Sequence, residues 1–562
     1  MNMTRRQALA LAGAGFAKPV IRAGMRSVPE PARFTVAQEE GWYLHSAGVA
    51  AFDDELVCTY RRSDAHLASE VETWCARSRD GGRTWTDPKR ITRLAYDPDR
   101  ACWVAPQLSR TRDGRLVLII DRGEKLSKFD WPMLSQWQMK DRGMSNWLLI
   151  SRDRGRTWDG PRKIDDVGGE PSFVVELSNG AWMYTRTESK PTTEIKHPTP
   201  PWGPNYYLSM GVFSFDQGKT WSQVAPVADS PLHGDCEVGV VELEPGHLLA
   251  ATRIGDGGGR YGQPSRLVHS YDYGKTWSKP VLAPFYGQRP IPGKLKSGKV
   301  LVTYRNAWGT PASYAFVFDP GESFEFQPNS WIWDESRCRI RNEVMEIQTA
   351  DGRANGVEFG FYPVEDDDSA VEVEAELLVR EAEPEGCLIG AGAWVRFEPR
   401  RVSLADRPAD GFDLDTTRWR RYRIASRDGQ IRIYVDGELK LRAPLGKVFS
   451  RIVRLGSRGR GPNFDKMRSL TLWRSLAVKV TNRRDYSIDW KWTAAQGYPD
   501  QFRRNRMVCL ERNGSLQAGD GGYSGWAQRA DGGIVIVDYT RGDPPVEKPL
   551  IRAYLTREEE LI

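Results

Sequence analysis

The chain has 562 residues, of which 40% are hydrophobic and 21 are tryptophan, so it is long enough to bury more than one sizeable core. Its 80 basic and 74 acidic residues are interleaved, and no basic tract or aromatic-basic stripe typical of nucleic-acid binding occurs in the sequence. Seven cysteines, scattered and odd in number, indicate neither a disulfide framework nor a Cys-x-x-Cys metal site. We expect no cofactor, no metal and no nucleic-acid partner.

The N-terminal segment, residues 1–30, has the pattern of an export signal. Arg5 and Arg6 form a twin-arginine pair, and a short apolar run followed by Lys18 comes after them. A membrane-spanning helix would need about 20 apolar residues. We expect export by the twin-arginine route to the periplasm or the medium and no membrane span, with a simple basic tail as the alternative.

Four copies of one pattern, Ser-x-Asp-x-Gly-[Arg/Lys]-Thr-Trp, punctuate the first half of the chain. They begin at Ser78, Ser151, Ser214 and Ser270. An apolar run precedes each copy, which predicts a strand, a tight turn and a strand. In the turn the Asp would accept hydrogen bonds from backbone amides, the Gly would take a positive φ, and the Trp would cover the sheet. We interpret this pattern as structural rather than catalytic.

Six hairpins of one design extend over a longer part of the chain. Each has two short apolar runs around a turn residue, and these turn residues are Asp54, Gly114, Gly180, Gly246, Gly298 and Gly532. One unit repeated six times predicts an all-β fold with a six-bladed β-propeller. The last copy lacks its outer strand, and we expect residues 34–43 to supply it and to close the ring.

More than two hundred residues separate the fifth hairpin from the sixth, far more than a propeller loop needs. We therefore expect propeller blades 1–5 in residues 34–325, an inserted domain in 326–480, and a linker with blade 6 in 481–562. The run from Trp419, WRRYRIASRDGQIRIYVDGELKLRAPL, resembles β jelly rolls of the laminin-G or concanavalin type. Whether such a domain has its own sugar site or is a spacer stays open.

Aligning the hairpins on their turn residues brings chemically similar residues into equivalent positions. Nine residues before the turn, at the start of each innermost strand, stand His45, Ala105, Pro171, Glu237, Arg289 and Tyr523. Seven residues after it stand Arg61, Asp121, Thr187, Arg253, Arg305 and Tyr539. In a propeller these positions converge at one end of the central channel, where sites are built. The alignment predicts a site there, although salt bridges within the fold would also explain the arginines.

The Ser-Asp repeats and the strings CEVGVVELEPGHLLAATR and GYSGWAQRADGGIVIVDY resemble the bacterial sialidase superfamily, over roughly residues 35–325 and 500–560. In that family a Glu begins one inner strand and an Arg ends its hairpin, a spacing that Glu237 and Arg253 match. A Tyr followed by Ser opens the last blade and an acid follows, which Tyr523 and Asp538 match, although the family usually has Glu at the second position. The resemblance implies a six-bladed exo-glycosidase with Tyr523 as nucleophile and Glu237 as its base.

The resemblance also implies how a substrate carboxylate is held, because arginines grip carboxylates through paired hydrogen bonds. The arginine of the family motif Phe-Arg-Ile-Pro begins that set, but this chain has Leu-His-Ser-Ala at residues 44–47. We expect His45 to hydrogen-bond a neutral or differently placed group of the substrate. Asp538 changes together with it, because it is shorter than the glutamate that steadies the missing arginine in the family. The candidate substrate-binding residues are Arg253, Arg289, Arg305, Arg62, His45 and Asp538.

A tyrosine nucleophile suits an anionic sugar, because a neutral phenol approaches a carboxylate-bearing carbon without the repulsion that an aspartate would meet. A general acid must then protonate the leaving oxygen. The resemblance places this acid in the loop after the first hairpin, where Asp64 is the nearest candidate and the alternatives are His66, Glu70 and Glu72.

Three functions remain open at this point. The first is a retaining exo-glycosidase that removes a terminal sialic acid or a related acidic sugar. The second is a uronate-directed hydrolase or lyase that uses Tyr523 and His45 as acid and base. The third is a non-catalytic propeller that binds glycans or proteins. In the two enzymatic cases a glycan is the expected partner, and we expect the chain to be a monomer.

Overall fold

The computed structural model describes residues 21–66, 68–86, 88–95, 101–125, 145–167, 169–191, 205–230, 234–254, 264–306, 309–352, 354–361, 370–445, 453–457, 465–481, 487–514 and 521–562. Strands dominate these residues, and two short α-helices occur in them, Gln501–Arg506 and Glu558–Leu561. No helix within these ranges is long and apolar enough to cross a membrane. Most of the predicted export signal lies outside the described residues, so the twin-arginine route stays a prediction.

Four four-stranded antiparallel sheets form the first four blades, each built from strands consecutive in the chain. Blade 1 consists of Tyr43–Ala51, Leu56–Ser63, Glu70–Ser78 and Lys89–Ala95. Blade 2 consists of Ala101–Arg110, Leu116–Lys125, Ser145–Ser151 and Asp159–Asp165. Blade 3 consists of Val175–Glu176, Trp182–Pro191, Asn205–Ser214 and Gln223–Ala228. Blade 4 consists of Asp235–Glu244, His247–Ile254, Arg266–Ser270 and Val281–Leu282.

The last two blades are completed by strands from distant parts of the chain. Blade 5 consists of Gly287–Lys294, Val300–Asn306, Ala312–Phe318, Met507–Arg512 and the short parallel strand Arg26–Ser27. Blade 6 consists of Gly522–Gln528, Ile534–Thr540, Leu550–Thr556 and the N-terminal strand Arg33–Ala37. Phe34 lies opposite Ala553, which confirms that the N-terminal segment closes the ring.

The blades pack against one another face to face around a common centre. A buried apolar cluster lies between each pair of neighbouring blades, including one between blade 6 and blade 1 that contains Leu44 and Val537. All six inner strands line a single central cavity of about 420 Å³. The predicted six-bladed propeller is therefore confirmed.

The inserted residues form a second unit of two antiparallel sheets. One sheet has seven strands, which are Asn329–Ile332, Val357–Phe361, Leu388–Gly390, Trp394–Glu398, Arg401–Leu404, Gly411–Asp413 and Val453–Gly456. The other has eight, which are Cys338–Arg341, Val344–Thr349, Ala370–Ala382, Arg420–Arg427, Gln430–Val435, Glu438–Pro444, Ser469–Thr481 and Ser487–Thr493. Alternating residues of both sheets share one buried core, as expected of a β-sandwich. Its assignment to the laminin-G or concanavalin type stays a prediction.

The insertion point differs from the predicted one between blades 5 and 6. The outer strand of blade 5, Met507–Arg512, follows the sandwich and pairs with Ala312–Phe318. The sandwich therefore interrupts blade 5 before its fourth strand, and it extends to Thr493 rather than to residue 480. The fifth copy of the Ser-Asp pattern has decayed to Asp-Pro-Gly after Phe318, and the next described strand in the chain, Asn329–Ile332, belongs to the sandwich.

The sandwich and the propeller are joined by buried charges on the helix Gln501–Arg506. Asp500, just before this helix, accepts hydrogen bonds from Ser330 Oγ at 2.6 Å and from Arg504 Nε at 2.7 Å. Arg504 also contacts Glu335 at 2.8 Å, whereas Arg503 lies over the ring of Tyr314 in blade 5. Asp500 and Arg504 are both fully buried, so their mutual pairing offsets the cost of removing two charges from water.

The four Ser-Asp turns have the predicted geometry, and the second copy illustrates it. Asp153 accepts hydrogen bonds from the backbone amide of Thr157 at 2.8 Å, from its hydroxyl at 2.6 Å and from Ser151 Oγ at 2.8 Å. Gly155 has a φ of 80°, a conformation that glycine adopts without a steric penalty. Partial burial raises the pKa of Asp153, but these hydrogen bonds outweigh it and lower the pKa to about 2. The turn thus depends on an ionised carboxylate.

Replacing Asp153 with alanine is expected to lower the free energy of unfolding by about 1–3 kcal/mol, because three hydrogen bonds to a charged acceptor are lost. Urea denaturation followed by tryptophan fluorescence measures this loss. Because the folded pKa is depressed, the contribution is present above the unfolded pKa and shrinks as the pH falls from about 4 towards about 2. Asp159→Ala is the control, since the exposed side chain of Asp159 makes just a 3.9 Å ion pair within the described part of the chain; an equal loss in both variants would contradict the interpretation.

Candidate active site

A β-bulge near the start of the inner strand recurs in five blades. In blade 4, Cys236 pairs with Arg253 and Gly239 with Ala251, so that two residues of the inner strand oppose Thr252 alone. The first bulged residue of each blade has a left-handed backbone, with φ of 44–55°, and these residues are Ser46, Glu170, Glu237, Arg289 and Tyr523. A non-glycine residue in this conformation costs about 1 kcal/mol, and such strain clusters at functional sites.

The bulges show that aligning the hairpins on their turn residues misplaces the equivalent site position by one residue in blades 1, 2 and 3. Glu237, Arg289 and Tyr523 occupy the expected positions in blades 4 to 6. In blade 3 the equivalent residue is Glu170 rather than Pro171, because a second bulge between Ser172 and Val175 shifts the strand by one residue. In blades 1 and 2 the equivalents are Ser46 and Pro106.

Glu170 is therefore a site residue that the sequence alignment missed. The available signal was its place directly before Pro171, an acidic residue beside a predicted site position. Its backbone amide donates to Asp121 Oδ2 at 3.1 Å.

A tyrosine, a glutamate and an arginine from two blades form the centre of the site. The hydroxyl of Tyr523 donates to Glu237 Oε1 at 2.6 Å. Arg253 Nη1 donates to Glu237 Oε2 at 2.5 Å and lies 3.3 Å from the hydroxyl oxygen of Tyr523. All three side chains are buried. One carboxylate thus accepts from the phenol and from the guanidinium at the same time.

The burial and the charges around this centre determine which of its side chains are protonated at neutral pH. Burial raises the pKa of Glu237, but Arg253, Arg289 and the Tyr523 hydroxyl outweigh it and hold that pKa below its usual range. Burial first, and then the charge of Glu237, raise the pKa of Tyr523 well above 10. At neutral pH a protonated phenol therefore donates to an ionised carboxylate, the arrangement that a base and a nucleophile require.

Two further arginines surround the ring of Tyr523. The guanidinium of Arg305 lies 4.8 Å from the ring centre and that of Arg289 lies 5.5 Å from it. Arg289 Nη2 also donates to the carbonyl of Pro171 at 2.6 Å, and Arg305 Nη1 to the carbonyl of Gly521 at 3.0 Å. The structure thus gathers Arg253, Arg289 and Arg305 about the phenol.

A wall of aromatic side chains from blades 1 and 6 flanks the other side of Tyr523. The ring of His45 lies 5.2 Å from that of Tyr523, 4.1 Å from that of Tyr539 and 5.0 Å from that of His66. Burial, together with nearby positive charges such as Arg61, lowers the pKa of His45 well below its usual value and that of His66 to about 3. Both imidazoles are neutral at pH 7, so residue 45 contributes an uncharged group to the site.

Arg62, one of the candidate substrate-binding residues, faces away from this wall. It contacts Glu72 at 2.6 Å and Glu39 at 2.9 Å, and its guanidinium lies 3.5 Å from the ring of Trp42. Because successive residues of a strand face opposite sides, it is its neighbour Arg61 that points to the site, donating to the carbonyl of His66 at 2.7 Å.

The carboxylates predicted as general acids lie outside the Tyr523 centre. Asp64 is exposed, and no contact within the described residues joins it to Tyr523. Glu70 is held by Arg93 at 2.5 Å, and Glu72 by Arg62 and Arg90.

Asp538, matched above to a family glutamate, also faces away from the site. It accepts from the hydroxyl of Tyr554 at 3.0 Å between blades 5 and 6, and burial raises its pKa to about 7. Its strand neighbour Tyr539 points to the site instead, beside His45. Within the described part of the chain, no three His, Cys, Asp or Glu side chains are grouped so as to hold a metal ion.

Comparison with known proteins agrees with this architecture. A BNR repeat-like domain matches residues 54–321. A sialidase of Clostridium perfringens is 25% identical over 289 residues, covering 48% of this chain and 68% of the relative. A sialidase of Paraclostridium sordellii is 24% identical over 202 residues, covering 33% of this chain and 42% of the relative.

The chain is similar in sequence to these sialidases.

The solved structures that resemble this chain are more distant in sequence. A protein of unknown function from Dyadobacter fermentans is 17% identical with a TM-score of 0.43, covering 60% of this chain and 95% of its own. Trypanosoma rangeli sialidase is 13% identical with a TM-score of 0.36, covering 87% of this chain and 98% of its own. At these scores the neighbours add no detail about the site.

Proposed function

We propose that the protein is a retaining exo-glycosidase of the sialidase type, which hydrolyses the bond to a terminal acidic sugar through Tyr523. The observation that carries the proposal is the 2.6 Å hydrogen bond from the Tyr523 hydroxyl to Glu237, with Arg253 bound to the same carboxylate. The similarity to two relatives named sialidase and to a BNR repeat-like domain supports it.

In this mechanism the phenol oxygen of Tyr523 attacks the anomeric carbon while its proton passes to Glu237. Arg253, 3.3 Å from that oxygen, stabilises the negative charge that develops as the proton leaves. The covalent glycosyl-tyrosine is then hydrolysed by water with a second inversion, so the product retains its configuration. A neutral nucleophile suits the substrate, because an ionised one would be repelled by a carboxylate on the same sugar.

The arginines limit the class of sugar. Arg253, Arg289 and Arg305 carry permanent positive charge in a buried site, so an anionic sugar is favoured over a neutral one. The neutral His45, next to Tyr539, offers one hydrogen-bonding group in place of a further cation. We propose an acidic sugar with fewer or differently placed contacts to its carboxylate than a fully arginine-bound one has.

A panel of 4-methylumbelliferyl glycosides tests the proposal, with N-acetylneuraminic acid, 3-deoxy-octulosonate and uronic acid members. We expect turnover of an acidic member and none of neutral hexosides, with retained configuration of the first product in proton NMR spectra. Turnover of the neuraminic acid compound would mean that His45 is tolerated in place of the arginine.

Two outcomes would contradict the proposal. An unsaturated, ultraviolet-absorbing product would identify elimination, and a folded protein without turnover would favour glycan binding alone.

Periplasmic or secreted localisation is also proposed here, and it is supported by Arg5, Arg6 and the apolar run after them.

A further inference from the structure

The hydrolysis proposed above needs a proton donor for the leaving oxygen, and the loop predicted to supply it offers no suitable carboxyl. Asp64 is exposed to solvent, whereas Glu70 and Glu72 are bound to arginines that favour their ionised forms. His66 shares a hydrogen bond of 2.9 Å with Tyr43 and faces Arg61. The donor must therefore be sought on another blade.

We propose that Glu170 is the general acid that protonates the glycosidic oxygen, a role that rests on the function proposed above. Glu170 occupies in blade 3 the same bulged position that Glu237 occupies in blade 4 and Tyr523 in blade 6. The fold therefore directs it to the same end of the channel as the nucleophile and the base.

The surroundings of Glu170 leave its carboxyl available to a substrate. Its backbone amide is anchored by Asp121 at 3.1 Å, which fixes the strand at the bulge. The side chain is partly exposed, and no hydrogen bond to its carboxyl oxygens is made by the described residues. By contrast, Glu237 has partners on both oxygens. A proton donor to an incoming ligand requires a carboxyl that is accessible at the site and is not already bound by other side chains.

The charges facing Glu170 come from three other blades. They are Asp121 on blade 2, Glu237 and Arg253 on blade 4, and Arg289 on blade 5. Burial of the carboxyl among its neighbours, followed by the charge of Glu237, raises the pKa of Glu170 to about 8, although the two arginines oppose the rise. Two nearby carboxyls thus differ, with Glu237 ionised and Glu170 protonated at neutral pH, which is the division expected of a base and an acid.

Both steps of the proposed reaction transfer protons through Glu170 and Glu237. As the Tyr523 oxygen bonds to the anomeric carbon, the bond from that carbon to the leaving oxygen breaks, and the leaving oxygen takes the electron pair and the proton of Glu170. The Tyr523 proton passes to Glu237. In the second step the Glu170 carboxylate takes a proton from the attacking water, while the released Tyr523 oxygen recovers its proton from Glu237.

The test compares leaving groups in the wild type and in Glu170→Gln. For an alkyl glycoside of the accepted sugar, kcat/KM is expected to fall about 100-fold to 10,000-fold, because an alkoxide leaves poorly without a proton. For a methylumbelliferyl glycoside, whose phenol leaves without assistance, the expected fall in kcat/KM is less than about tenfold. In the wild type, the alkyl reaction should also decline above about pH 8, and this decline should be absent from the variant.

Each alternative result has a distinct meaning. An equal loss of kcat/KM on both glycosides would make Glu170 a sugar-binding residue and overturn the inference, as would no loss on either. Rescue of Glu170→Ala by azide, with an azide adduct as product, would support a catalytic carboxylate at this position and would not arise from a merely structural one.

Two controls separate this inference from the proposed function. Glu176→Gln changes a carboxyl in the blade 3 strand Val175–Glu176, which follows Glu170 in the chain, and should leave both reactions unchanged. If the wild type cleaves the aryl glycoside but Glu170→Gln shows no dependence on the leaving group, this inference fails while the proposed function stands. If the wild type cleaves no glycoside, both fail.

Discussion

Replacing Tyr523 with phenylalanine is expected to lower kcat on the accepted glycoside at least about a thousandfold, because the only atom removed is the proposed nucleophile. The hydroxyl lost is the one that donates to Glu237 at 2.6 Å, and the ring that packs against His45 and Arg305 is retained. The change is therefore expected to affect the chemistry more than the fold. Initial rates of methylumbelliferone release measure it, and circular dichroism verifies that the fold is intact.

Tyr304→Phe is the matched control for this prediction. Tyr304 is a buried tyrosine of blade 5 whose hydroxyl contacts the sulfur of Met507 in the apolar core between blades 4 and 5. Its loss should change kcat by less than about twofold, since surface and core changes away from the reacting atoms leave the barrier unaltered. Turnover by Tyr523→Phe within tenfold of the wild type would exclude Tyr523 as nucleophile.

Replacing Asp500 with alanine is expected to lower the free energy of unfolding by about 3–5 kcal/mol. The fully buried Arg504 would lose its 2.7 Å carboxylate partner and, among the described residues, keep Glu335 as its one remaining carboxylate partner, leaving a poorly compensated buried charge. Burial raises the pKa of Asp500, but Arg504 and Arg503 outweigh it and lower that pKa. Its contribution is therefore present above the unfolded pKa, near 3.9, and is lost as the pH falls below it.

Urea denaturation at pH 7 and at pH 3 measures this effect, with limited proteolysis to report opening between the sandwich and the propeller. Asp489→Ala is the control, because Asp489 is exposed on the edge strand Ser487–Thr493 and should shift stability by less than about 0.5 kcal/mol. An unchanged midpoint for Asp500→Ala would show that the buried pair does not hold the junction.

Much of the propeller can be predicted from the sequence because each repeated unit is specified by residues close together in the chain. A Ser-Asp turn is specified by eight consecutive residues, and each hairpin by two apolar runs around one turn residue, so neither requires knowledge of distant contacts. The same locality placed Glu237, Arg289 and Tyr523 in register, since each lies in one bulge near the start of its strand and the pairing is then regular up to the residues next to the turn.

A second bulge in a strand changes its pairing register in a way that the neighbouring sequence does not reveal. The second irregularity in the inner strand of blade 3 moved Glu170 into the position assigned to Pro171, and one residue of slip exchanges the two faces of a strand. The same period of two decides between Arg61 and Arg62 and between Asp538 and Tyr539. In each pair the sequence offers two chemically plausible residues, and only packing against the neighbouring blade selects one.

Repeats and the spacing within a hairpin were enough to predict the all-β class, the number of blades, the closing N-terminal strand and the Tyr523–Glu237–Arg253 combination. The folded chain was needed to show that the sandwich interrupts blade 5, that Arg62 is paired with Glu72, and that Glu170 occupies the bulged position of blade 3. Those outcomes depend on which strands pair across more than a hundred residues and on bulges in the backbone. Such long-range pairing has no signature in a short stretch of sequence.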